Sequence, residues 1–286
     1  MASKSPDVPY AGALPMEAAQ RAPAARARAT LARNLRLLRL MIRRDLATRY
    51  RGAVLGGAWA VLSPFLMMAL YTVVFSGVLR VRLSSDAGPA AFALHLLAGR
   101  LPWTAFAEAV GRSVTSLREH QNLVKKVAFP LEVLPLSVAG GALVNHAIAL
   151  AIYLLGVLLL RGWSPTLLLL PLVILPLAFL MAGVGLILAS VAAFLRDVEQ
   201  GIGLLLTVGL FLTPILYPLD AVPARLRPLI LLNPFTQIVE GYRRTILGGV
   251  APDWGHLAAL YLATAALWAF GQWWFSRSAA VFADIL

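Results

Sequence analysis

GWSPTLLLLPLVILPLAFLMAGVGLILASVAAFL, from Gly162 to Leu195, is 34 residues without a charge. As one helix it would reach about 50 Å at 1.5 Å per residue. That is too long for one plain crossing of a bilayer whose hydrocarbon core is roughly 30 Å thick, and too short for two comfortable ones. Pro165, Pro171 and Pro176 fall in its first half. The stretch therefore predicts one transmembrane helix with an irregular lead-in.

Five more apolar runs flank it: Gly52–Leu79, Pro89–Ser113, Val133–Leu160, Gln200–Leu219 and Trp254–Ser276. Each reaches or exceeds the roughly 20 residues that cross a bilayer, and only the second is interrupted, by Arg100 and Glu108, with Arg112 at its end. Spans are expected at about 54–79, 90–113, 134–160, 166–193, 201–218 and 256–276. Composition agrees: 13% of the 286 residues are charged, about half the roughly 25% of soluble domains. The expected fold is an all-α polytopic membrane protein with six transmembrane helices. Cysteine is absent, which excludes disulfides and thiolate metal sites.

The net charge of +12 follows topology, which argues against a nucleic-acid partner. With six spans, 17 lysines and arginines fall on the side of the termini and seven on the other. The positive-inside rule then makes both termini cytoplasmic. Residues 1–30 show no apolar period and read as a disordered cytoplasmic tail. They lack an apolar core followed by a small-residue cleavage site, so no cleaved signal peptide is expected. Residues 31–51 read as a basic amphipathic helix lying in the headgroup layer. Leu31, Leu35, Leu38, Ile42 and Leu46 recur on one side, against Arg33, Arg36, Arg39, Arg43 and Arg44 on the other.

The segment before the last span is unusual. Within about 222–247 lies a twelve-residue uncharged run, Pro228 to Val239. Twelve residues cannot cross a bilayer but can dip into it and return. Pro228, Asn233 and Pro234 supply the bend, and irregular backbone is tolerated at that depth where protein or a cavity covers it. A re-entrant helical hairpin is expected, with a surface amphipathic hairpin as the alternative.

Catalytic constellations are missing. No G-x-x-x-x-G-K-[ST] occurs and none of the three lysines follows a glycine, so the chain builds no P-loop. There is no H-E-x-x-H or G-x-S-x-G. The four histidines lack ligand spacing, and His146 is read as an interhelical contact and not a metal ligand. The one intramembrane acid, Glu108, is thin support for an ion-coupled carrier. It and Arg100 either face a watery path or pair with neighbours. Trp59, Tyr71, Phe75, Trp103 and Phe106 lie in or beside the spans, where they suit an interfacial belt or the apolar faces of sugar rings.

Together the segments resemble the permease subunit of ABC exporters that move bacterial surface polysaccharides such as O-antigen, capsule or teichoic acid on a lipid carrier. RDLATRYRGAVLGGAWAVLSPFLMMALYTVVF (Arg44–Phe75), LVKKVAFPLEVLPLS (Leu123–Ser137), FLRDVEQ (Phe194–Gln200), FLTPILYPL (Phe211–Leu219) and LNPFTQIVEGYRR (Leu232–Arg244) match in order. The resemblance runs from about residue 31 to the C-terminus.

That resemblance implies a non-catalytic transport subunit of the bacterial inner membrane. It would work as a homodimer with two copies of a separate ABC ATPase, which would bind ATP and Mg, so no cofactor is expected in this chain. The segment after span two would dock on the ATPase, with Leu123, Val124, Val127 and Phe129 filling a pocket and Lys125 and Lys126 giving electrostatic register. The basic helix would be a cytoplasmic gate, with Arg36, Arg39, Arg43 and Arg44 near anionic lipid. The aromatics would line a glycan channel. Pro214, Tyr217, Pro218, Asn233, Pro234, Tyr242, Arg243 and Arg244 would form an outer gate, or the two arginines would hold a lipid phosphate. Arg100 departs from the apolar residue expected there. The rival readings are an ABC permease for a drug or lipid, and a stand-alone lipid-glycan scramblase or transferase.

Overall fold

The computed structural model describes residues 16–49, 51–78, 90–126 and 129–285, with the backbone alone described at 16–31, 76, 90, 126, 283 and 284. The described residues are mostly helical, with no strand among them. The helices are α1 (Met16–Arg49), α2 (Trp59–Thr72), α3 (Ala90–Ser113), α4 (Ser116–Glu119), α5 (Gln121–Lys126), α6 (Val133–Arg161), α7 (Leu170–Phe194), α8 (Asp197–Leu212), α9 (Arg227–Leu232), α10 (Pro234–Tyr242) and α11 (Trp254–Ile285).

Among the described residues, three helical stretches are long and apolar enough to cross a membrane: Gly56–Phe75, Val133–Arg161 and Pro165–Phe194. The last is the opening stretch, a 3-10 turn at Pro165–Leu169 feeding α7. Pro165 opens the turn and Pro171 is the second residue of α7, first-turn positions where the missing N–H costs little, and Pro176 lies inside α7. α6 stops where Gly162 takes a φ of 82°, a left-handed conformation open to glycine at no Cβ cost. α8 is shorter than its expected span, at 16 residues or about 24 Å. Thr213 turns to an extended conformation and ends it. α11 runs past the expected end at Ser276 to Ile285. The basic helix is also longer than expected: α1 begins at Met16, inside the segment expected to be disordered. Residues 1–15 lie outside the described residues.

α3, α6, α7 and α10 share the main core, with Ala98, Tyr153, Leu177, Met181, Ile238 and Tyr242 at its centre. In lipid, apolar surface gains little by leaving its solvent, so helices associate through close packing and polar contacts. The α7–α11 seam is of that kind. A Cβ added to Gly271 would stand 2.7 Å from the carbonyl oxygen of Gly183, and one on Gly183 would stand 2.9 Å from Cα of Trp268. Backbone therefore touches backbone. α2 and α8 are peripheral: neither has a buried residue, and Phe65, Leu66, Leu204, Leu205 and Phe211 are exposed.

Candidate functional site

α1 rests on a notch in α6 made by Gly140 and Gly141. A Cβ on Gly140 would lie 2.5 Å from Cδ1 of Ile42, and one on Gly141 would lie 2.5 Å from Oδ2 of Asp45. The inward stripe is Leu38, Met41, Ile42, Asp45, Leu46 and Arg49, while Arg33, Arg36, Arg39, Arg43 and Arg44 are exposed. The charged face is as expected, but the apolar stripe is corrected at one position. Leu35 is exposed and Asn34 takes its place. Asn34 is three turns from Asp45 at 3.6 residues per turn and so shares its face.

Asp45 and Arg49 point from α1 onto α3. Arg112 pairs with Asp45, and Arg49 with Glu108. Looser contacts close the square, Arg49 to Asp45 at 3.7 Å and Arg112 to Glu108 at 3.9 Å. The four groups are only partly exposed, so their attraction is less screened than that of a surface pair.

Two cavities meet at this cluster. One of about 570 Å³ lies between α1, α3 and α6, lined by Asp45, Thr48, Arg112, His120 and Ser137. The other, of about 400 Å³, lies between α2, α3 and α6, lined by Trp59, Tyr71, Arg100, Thr104, Asn145 and His146. Arg49 and Glu108 line both. Their ion pair is part of the wall between the two.

The segment after α3 folds as the short helices α4 and α5. Arg118 donates to Glu199 Oε2 of α8 at 2.7 Å and to the Ala192 carbonyl at 3.4 Å. Glu199 and Asp197 occupy the first turn of α8, where carboxylates complement the helix dipole. The DVE sequence thus closes a turn. Val124 is buried in a cluster with Leu117, Leu134, Leu186, Phe275 and Phe282, and Leu123 and Phe129 pack against it. The expectation that these apolar residues face a partner is corrected at Val124, which is core; Leu123 and Phe129 are half-buried. Lys125 is exposed. Val127 lies outside the described residues, and Lys126 is described in its backbone alone.

The aromatics divide. Trp59 and Tyr71 line the smaller cavity. Phe75 packs on Phe92 at 5.3 Å between ring centroids. Trp103 is buried, its ring edge-on to Phe235 at 4.8 Å, with Phe106 5.2 Å from the same ring. Trp103 is thus an anchor for α10 and not a lining residue.

α9 and α10 form a tight helical pair bent at Asn233. The Asn233 side chain accepts from Phe235 N–H at 2.9 Å, capping α10, and donates to Thr213 Oγ1 at 3.1 Å. Pro234 follows at the first helical position, where its missing N–H costs nothing. Arg243 holds the pair to its neighbours. Its guanidinium donates to the carbonyls of Pro214 (2.7 Å), Ile215 (3.1 Å) and His95 (3.4 Å) and to Glu240 Oε1 (2.9 Å). With four acceptors and a buried side chain, it is not available to a lipid phosphate.

Tyr242 is also buried, sharing a 2.8 Å hydrogen bond with His146 Nε2, so His146 does make an interhelical contact. Tyr217 donates to the Phe211 carbonyl at 2.9 Å, and Pro218 opens the short turn Leu219–Ala221. Arg244 stands apart, exposed beside a pocket of about 240 Å³ with Glu240, Asp253 and His256. The Asp253 carboxyl accepts from His256 N–H at 3.1 Å, and that backbone donor holds it below the ordinary carboxylate range.

The ionic square went unseen in sequence reading, though its signal was present. Asp45 and Arg49 are four residues apart, as are Glu108 and Arg112. Two acid-then-base pairs at helical spacing can face each other across a helix seam.

Comparison with known proteins shows which proteins the chain is similar to. The chain is 34% identical over 247 residues to the O-antigen export system permease protein RfbA of Myxococcus xanthus, covering 84% of this chain and 92% of that protein. It is 28% identical over 254 residues to a Klebsiella pneumoniae protein of the same name, covering 87% and 95%. It is 26% identical over 214 residues to the polysialic acid transport protein KpsM of Escherichia coli, covering 72% and 79%. The ABC-2 type transporter family matches residues 36–247, a span that takes in the α1–α3 latch, both cavities and the α9–α10 pair, and the chain belongs to that family.

Proposed function

We propose that this chain is the membrane-spanning subunit of an ATP-driven exporter that moves a lipid-linked polysaccharide outward across the bacterial inner membrane. The observation that carries the reading is the seam between α1 and α3. A basic helix is latched by ion pairs across two adjoining cavities, one at its own end of the bundle and one deeper among the spans. The relatives, named as O-antigen and polysialic acid transport proteins, favour a glycan over a drug or lipid.

In this reading the chain crosses the membrane six times with both termini cytoplasmic. α3, α8 and α11 join the three plainly apolar spans, and α9–α10 is a re-entrant pair at the outer side. Two copies associate through the exposed apolar faces of α2 and α8, which would otherwise meet only lipid. Each copy engages one ABC ATPase, which holds ATP and Mg, so the chain itself makes and breaks no covalent bond. Arg36, Arg39, Arg43 and Arg44 attract anionic headgroups to the cytoplasmic face of α1. The glycan enters as α1 unlatches, passes the aromatic wall at Trp59 and Tyr71, and leaves past α9–α10. Nucleotide-driven movement of the ATPase reaches the bundle through Lys125 on α5 and through Arg118, which is tied to α8.

The test is purification of the tagged chain from native membranes in mild detergent, with co-purifying proteins identified by mass spectrometry. Surface glycan is measured in a strain lacking the chain. Recovery of a Walker-A ATPase together with intracellular accumulation of a lipid-linked glycan is the expected result. A chain that comes out alone, under conditions that keep other transporters whole, points instead to a stand-alone scramblase.

A further inference from the structure

Arg100 is the eleventh residue of the 24-residue α3, about 15 Å from the helix start at 1.5 Å per residue. Under the exporter reading that is the middle of the membrane, where a guanidinium is costly and marks a functional site by default. Its one hydrogen-bonded side chain among the described residues is Thr104, one turn along the same helix, at 2.8 Å. The other charged groups of the smaller cavity, Arg49 and Glu108, neutralise each other. Among the described residues, the cavity is left with one uncompensated positive charge.

On the facing helix α6, Asn145 lines the same space, and its side-chain carbonyl oxygen is buried without a hydrogen-bond partner among the described residues. Trp59 and Tyr71 complete the wall from α2. The volume of about 400 Å³ falls in the range of small-molecule pockets, roughly 300–1,000 Å³. A cation, an unused acceptor and two aromatic rings match three features of one chemical class. The carboxylate of an acidic sugar pairs with Arg100, a ring hydroxyl donates to Asn145 as its amide turns into the cavity, and the apolar ring face meets the aromatics. A lipid pyrophosphate would use the cation and leave the Asn145 acceptor unmet.

We propose that Arg100 and Asn145 make this cavity a subsite for an acidic sugar, so that the exported glycan carries carboxylate-bearing residues. The assignment rests on the exporter reading and names its substrate class.

The test is binding by the purified full chain in lipid nanodiscs, with its ATPase where that co-purifies. Three probes are compared: a short oligomer of glucuronic acid, a neutral glucose oligomer of equal length, and farnesyl pyrophosphate. The wild type is expected to bind the acidic oligomer about tenfold or more tightly than the neutral one, as one charge-assisted hydrogen bond provides. Arg100→Gln is expected to abolish that preference and Arg100→Lys to keep part of it. Asn145→Ala is expected to weaken both oligomers alike.

Equal affinity of the wild type for acidic and neutral oligomers overturns the proposal without any variant. So does a preference that survives Arg100→Gln. Arg100-dependent binding of farnesyl pyrophosphate alone overturns it in favour of a lipid-phosphate site. None of these outcomes bears on whether an ATPase co-purifies, so failure here and failure of the exporter reading are separable.

Discussion

Neutralising Glu108 should loosen the inner end of α1. Its carboxylate pairs with Arg49 and lies 3.9 Å from Arg112. Two unit charges 4 Å apart attract by about 4 kcal/mol at an effective dielectric constant of 20. Desolvation and residual screening reduce this, since Arg49 and Glu108 keep 19% and 24% of their side-chain exposure. A net of about 1–2 kcal/mol is reasonable. Glu108→Gln keeps the shape and removes the charge, leaving Arg49 only the Asp45 carboxylate 3.7 Å away. The detached state of α1 should then rise about 5- to 30-fold. Hydrogen exchange over residues 38–49 in nanodiscs reads this directly. A double-mutant cycle with Arg49→Gln should give a coupling of about 1 kcal/mol. Under the exporter reading, ATP hydrolysis by the assembled complex should lose its dependence on added substrate. Unchanged exchange in this segment, or effects of the two substitutions that add within about 0.3 kcal/mol, would show that no latch exists and refute the reasoning.

Gly271→Val places a Cβ 2.7 Å from the Gly183 carbonyl oxygen; overpacking of this kind costs about 1–3 kcal/mol, so thermal unfolding in detergent should move down by several degrees. Arg243→Lys replaces a planar fork serving four acceptors with a point charge that cannot serve them all. Proteolytic sensitivity at residues 213–247 should rise, whereas Arg244→Ala, on an exposed side chain, should leave it unchanged. Under the exporter reading, Lys125→Glu, also at an exposed side chain, should leave the melting profile intact while weakening ATPase association about tenfold in a titrated pull-down; unaltered association would remove Lys125 from the proposed coupling surface.

The membrane character of the chain was legible because it depends on hydropathy summed over long windows, which local chemistry does not disturb. The lead-in to α7 was legible because proline is tolerated at a helix start, where Pro165 and Pro171 stand, whereas Pro176 lies inside α7. The site was legible only in outline. Trp103 reads as a lining residue in sequence because its position in span two does not reveal that Phe235, far along the chain, packs edge-on against it. Val124 reads as a docking residue for a similar reason: a half-apolar segment can face a partner or its own core, and Phe275 and Phe282 decide the matter from α11. Arg243 and Arg244 are adjacent and chemically alike. One is buried among carbonyls and the other exposed because neighbours on a helix point about 100° apart, and the tertiary partners of each are distant in sequence.

Where the ionic groups sit separates joints that can open from joints that cannot. The α7–α11 seam is held by glycine-mediated backbone contact and by the stacked rings of Phe179 and Trp268, 5.5 Å apart. In lipid such a seam has no second solvent to which it can yield, so it holds its shape. The Arg243 contacts are polar but buried, and separating them would strand a guanidinium and three backbone carbonyls without partners, a cost of several kcal/mol. The α9–α10 pair must therefore move together with the Pro214–Ile215 turn and the start of α3, as one piece. The α1–α3 square differs from both. Its groups are partly exposed already, and when they separate, water and lipid headgroups replace the lost partners at modest cost. Of the three seams it is the one whose opening is cheap and whose charges a passing anion can compete for. Under the exporter reading, entry is controlled at the end of the bundle bearing α1, and the far end answers by rigid displacement.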